Sequence, residues 1–134
     1  FTFQGSTDSG SSYGVTLTST AFDAYHMESD SATDLRYLSS GDLAQSTSFQ
    51  PLTNVTPGTD NDSSYSGTLH LFDPSNTTFV KHFMGSLNVM TDNPASDNTY
   101  IGGYFNTTSA IDAIQFKMAS GNIDSGVIKM YGVL

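Results

Sequence analysis

The chain has 134 residues, no cysteine, and thirteen acidic against four basic side chains, for a formal net charge of −9 at pH 7. The missing cysteines exclude disulfides, thiolate metal sites and a cysteine nucleophile, while the acidity repels nucleic acid and anionic membranes. One domain, 1–134, is the expectation, able to bury about two-thirds of its unfolded surface without staples, and no run approaches the roughly 20 apolar residues of a membrane span.

Serine and threonine make up roughly a quarter of the residues, Asn, Asp and Gly supply much of the rest, and Glu28 is the only glutamate. Such a composition suits short strands joined by polar turns, so an all-β fold is expected. The chain opens at Phe1-Thr-Phe-Gln4 without a methionine, in a strand already under way. A processed precursor or an incomplete N-terminus would account for that, as would an artificial boundary. Alternating patterns predict strands at 1–4, 13–18, 21–27, 34–38, 47–52, 65–72, 78–90 and 99–105, then a final pair at 111–118 and 126–133. Turn-rich segments at 4–12, 56–64, 73–77 and 92–98 separate them. About ten short strands without helical periodicity between them predict an antiparallel β-sandwich or jelly roll. Only 40–46 suits a turn or two of helix.

In the first strand of the final pair Ile114, Phe116 and Met118 share one face; in the second, Ile128 and Met130 oppose Val127, Lys129, Tyr131 and Val133. The two are expected to pair directly as a closing hairpin with a real loop at its tip, turning Ile114, Phe116, Ile128 and Met130 inward.

This ending carries a family signal. Ile111-x-x-Ile-x-Phe116, then Ser120-Gly-Asn-x-x-Ser-Gly126, then an apolar strand ending in Tyr131-Gly-Val133, resembles the C-terminal end of lectin-like jelly-roll β-sandwich proteins on the virions of tailed bacteriophages. Thr78-Phe-Val-Lys-His-Phe83 and Gly103-Tyr-Phe-Asn-Thr-Thr-Ser-Ala-Ile111 are similar to the same group. The resemblance covers the C-terminal half well and the N-terminal half loosely, and its motifs are structural. It implies a virion structural protein on the particle surface, decorating the capsid or belonging to a tail appendage such as a fibre.

Motifs with chemical meaning are few. Gly10-Ser-Ser-Tyr-Gly14 matches the nucleophile-elbow expression, but a strand pattern follows where a helix is required. His26, His70 and His82 all fall in strand patterns, far apart in sequence; they either converge on a metal or sit singly on strand faces. Asp60 and Asp62, with Asn61 between them, offer oxygen ligands suited to calcium, without the central glycine and distal glutamate of an EF-hand; the alternative is a solvated Asx-turn loop. Asp30 with Asp34, and Asp92 with Asp97, are weaker pairs. A glycosidase needs two carboxylates across a cleft, and the sequence marks no such pair.

Phe1, Phe3, Phe72, Phe79, Phe83 and Phe116 alternate as residues between two sheets do. Tyr13, Tyr65, Tyr100 and Tyr104 border loops or strand edges, where a ring can stack on a sugar, pack against a neighbouring subunit, or simply rim the core.

The expected function is therefore non-enzymatic: a virion structural protein acting through contacts with other virion proteins and with copies of itself, with no resident cofactor. The alternative is a carbohydrate-binding module for host attachment that holds a host-surface glycan. The absence of tryptophan counts against it, since sugar platforms favour that large flat ring.

Overall fold

The computed structural model describes residues 1–58 and 62–133, and it is all-β. Eight strands are present among the described residues: β1 (Thr2–Ser6), β2 (Leu17–Met27), β3 (Thr33–Tyr37), β4 (Gln50–Pro51), β5 (Tyr65–Leu71), β6 (Lys81–Met90), β7 (Ala95–Phe105) and β8 (Ala113–Lys117). They form a three-stranded sheet in the order β4-β1-β8 and a five-stranded sheet in the order β3-β2-β7-β6-β5. Every neighbouring pair is antiparallel.

The sheets face each other through aromatic rings. Phe3 on β1 meets Phe83 on β6 and Phe105 on β7 edge-on, with ring centres 5.1 and 6.1 Å apart, the arrangement that aromatic quadrupoles favour. Leu17, Ala21, Leu87, Ile101 and Ile111 complete the core around them. β7 passes this cluster at Gly103, where a Cβ would fall 2.6 Å from the Phe83 ring and 2.5 Å from the Thr18 carbonyl. The glycine is what lets the two strands and the ring approach so closely.

Several expected strands change. Of the segment 13–18 only Leu17 and Thr18 are strand, and they run on into 21–27 as β2 because Ser19 and Thr20 do not interrupt it: the Ser19 hydroxyl reaches Gln50 and accepts the Leu43 amide. The strand expected at 47–52 shrinks to β4, and 40–46 forms turns, not helix. β7 starts at Ala95, inside a segment read as turn, because Asp97 and Asn98 pair in register with β2 and β6.

The largest change is at the C-terminal hairpin. β8 pairs with β1, placing Phe116 opposite Phe3, while 126–133 belongs to no strand and is exposed throughout. Rings decide the pairing: Phe116 stacks on Phe1 at 5.7 Å and leans on Phe3, and Lys117 lies 3.9 Å over Phe49. Two of the six expected core phenylalanines, Phe72 and Phe79, are exposed, whereas Phe105 is fully buried.

Candidate functional site

The inner face of the five-stranded sheet is apolar at one end and ionic at the other. Strand register puts Asp23 of β2 opposite Arg36 of β3 and opposite Thr99 of β7, with Asp97 two residues further along. Asp23 and Asp97 are both buried. Arg36, the only arginine in the chain, grips Asp23 with two nitrogens, Nε at 2.9 Å from Oδ1 and Nη2 on Oδ2, and extends Nη2 to Asp97 at 3.4 Å. Its guanidinium lies 4.5 Å over the Tyr25 ring. The Thr99 hydroxyl donates to Asp97 at 3.3 Å.

Charge-assisted bonds of this bidentate kind are the strong ones, and they fall to Asp23. Asp97 is left with the poorer share: burial, followed by the neighbouring Asp23 charge, pushes its carboxyl up to about 6. Asp23 raises the Arg36 guanidinium further above its ordinary value. The cluster borders an open cleft of about 320 Å³ that Tyr25, Val55, Thr91, Asp92 and Asn93 also line. Its two carboxyls share one partner, the Arg36 Nη2, which reaches both. Chemically it is a buried pair of acids held by one arginine, in which Asp97 takes up a proton more readily than an ordinary carboxyl does.

The outer face of the same sheet differs in kind. Its row across β3, β2, β7 and β6 reads Tyr37, Phe22, Tyr100, Ser86; the next rows bring Leu35, Asn98 and Asn88 on one side and Met84 and His70 on the other. Phe22 and Tyr100 stack at 5.0 Å with rings 16° from parallel. Leu35, Tyr37 and Met84 are each more than half exposed. No outward strand position on this face is Asp, Glu, Lys or Arg.

Tyr100 and Tyr104 lie on this outer face, Tyr104 beside His82 at 6.0 Å. Tyr65 is on the inner face against Phe1, 6.2 Å away, and Tyr13 borders a separate groove with Ser12 and Asn106. The four tyrosines therefore form no single platform. The histidines are all exposed on the outer face but dispersed: His26 bonds Asp30 at 3.0 Å, while His70 lies near Phe72. Among the described residues no three His, Asp or Glu side chains gather as a metal site. Asp60 lies outside the described residues, and Asp62 is exposed. Ser12 sits in a loop folded around the Asp8 carboxylate, not an elbow: its amide and hydroxyl both donate to Asp8, and bonds from Ser12 and Ser6 hold that carboxyl down at about 2.

Sequence reasoning passed over Asp23 and Arg36. One signal was present: Asp23 has the inward parity of Ala21 and Tyr25, and a lone arginine stands in the next strand. Among the described residues no helix is long and apolar enough to cross a membrane. No protein-family model matches the chain, and comparison with curated proteins and with solved structures finds no match either.

Proposed function

We propose that this chain is a non-catalytic structural protein that works by protein–protein contact, with copies of itself meeting through the outer face of the five-stranded sheet. The observation that carries the reading is the uncharged outer face. A chain with a net charge of −9 keeps that face free of carboxylates while exposing Phe22, Leu35, Tyr37, Met84 and Tyr100. Charge depletion with aromatic and methionine enrichment is the compositional mark of an interface core, and contiguous exposed apolar patches on soluble proteins mark interaction sites. The setting, a virion surface as capsid decoration or tail appendage, rests on the sequence resemblance of the C-terminal half.

A glycan-binding reading is favoured by one observation: the stacked Phe22 and Tyr100 rings are flanked by Asn88, Asn98 and Ser86, a flat apolar surface with amide and hydroxyl groups beside it. Sedimentation velocity of the wild type and of a Phe22→Asp, Met84→Asp double variant separates the two. Self-association that the double variant weakens supports the structural reading. A wild type that stays monomeric at millimolar concentration and is retained on a glycan array replaces it with the second.

A further inference from the structure

We propose that residues 126–133 of one copy add as an antiparallel strand to the open edge of β8 in a second copy, and that the exchange is reciprocal. The proposal rests on the self-assembly reading and supplies a second, separate contact for it.

Two unfilled halves of one interaction are present. β8 is the outer strand of the three-stranded sheet, with β1 on one side and no strand on the other among the described residues. Such an edge presents unpaired backbone donors and acceptors and recruits another strand. Residues 126–133 carry a strand's alternation, yet Val127, Ile128, Met130, Tyr131 and Val133 are each 60% or more exposed. Leaving such side chains in water forgoes the gain that burial would bring.

The fit is specific. Setting Phe116 opposite Ile128 and Ile114 opposite Met130 keeps both apolar pairs on the core side, where Ile114 and Phe116 already pack against the core cluster. A one-residue slip would turn Ile128 and Met130 to water. This register places Gln115 opposite Lys129. Charge agrees as well: 126–133 contains one lysine and no acid, in a chain whose remainder is strongly acidic, so the arm is attracted to a body that otherwise repels its copy. Gly126, at φ 150° with nothing within 4 Å of its Cβ position, gives the arm a pivot. Reciprocal exchange is isologous and closes at two copies, so each dimer docks two strands.

The chain lacks cysteine, which makes the test clean. Gln115→Cys and Lys129→Cys are introduced together, the protein is oxidised at low concentration, and the products are separated without reductant. A covalent species of twice the chain mass is expected, together with a hetero-crosslink when the two single variants are refolded as a mixture and none in either alone. A disulfide closing only within one chain would mean that the arm folds back on its own β8, and no disulfide at all would mean that it does not dock there; either result overturns the proposal. Repeating the experiment on the Phe22→Asp, Met84→Asp background keeps the two contacts apart. Loss of sheet-face association with the interchain disulfide intact leaves the strand exchange standing by itself.

Discussion

At the scale of single residues, the ionic cluster determines how this protein responds to pH. Asp97 holds its proton more tightly in the fold than the ordinary value of 3.8, at about 6. A raised pKa means that the stabilisation is complete below about 3.8 and is lost as pH rises through about 6. Asp8 shifts the opposite way, to about 2, so its contribution is lost only at pH values well below that window. Melting temperature is therefore expected to rise from pH 7.5 to pH 5. Asp97→Asn, which keeps a polar group beside Thr99 and removes the buried charge, should raise stability at pH 7.5 by on the order of 2 kcal/mol and flatten the pH dependence. Denaturant melts at the two pH values check both statements. Arg36→Met should do the reverse, costing about 3 kcal/mol or more at pH 7.5, because it strands the fully buried Asp23 without a partner. Recovery of that loss in an Arg36→Met, Asp23→Leu double variant would show that the stranded charge is the cause.

At the scale of elements, β1 is the strand on which the smaller sheet depends. It is buried along its whole length, carries β4 on one side and β8 on the other, and delivers Phe3 to the centre of the core. Phe3→Ala removes a fully buried ring with two edge-to-face partners and should cost about 3–5 kcal/mol. Phe116→Ala should cost visibly less, about 1.5–3 kcal/mol, since that ring is only half-buried on Phe1 and Phe3. Chemical denaturation of the two variants gives the ranking, and equal losses would mean that β8 is more deeply seated than its exposure implies. Lys81 follows the same logic at the start of β6. It is buried, and its ammonium donates to the carbonyls of Phe79 and Thr107 at 2.6 and 3.2 Å, so one side chain ties the start of β6 to the loop after β7.

At the scale of the whole molecule, charge and apolar surface are segregated. The carboxylates lie in the turns, the rims and one internal cluster, while the outer sheet face and the arm at 126–133 carry exposed apolar side chains and no acid. Association through such surfaces works against the mutual repulsion of copies each at −9, and salt screens that repulsion over a Debye length of about 10 Å at 0.1 M. Self-association should therefore strengthen between 20 and 500 mM salt, roughly a tenfold change or more, the opposite of an ion-paired interface. Light scattering across a salt series measures the sign, and weakening with salt would contradict an apolar contact surface.

The all-β class, the two-sheet architecture and the inward parity of Phe3, Phe83 and Phe116 were legible in the sequence, because a period of two and polar turns are local properties of the chain. The pairing of the final strands was not. Alternation shows that 111–118 and 126–133 can each be a strand, but a partner is chosen by contacts made far away in sequence, and β8 found Phe1 and Phe3 more than a hundred residues upstream. The same limit hid the ionic cluster. Twelve aspartates look alike in sequence; only the register of β3 on β2 and of β2 on β7 brings Arg36, Asp23 and Asp97 together and removes water from them. Composition and periodicity determined what kind of fold this protein has, and tertiary structure decided which surfaces it leaves open, because burial and strand pairing are properties of contacts that the linear order of residues does not contain.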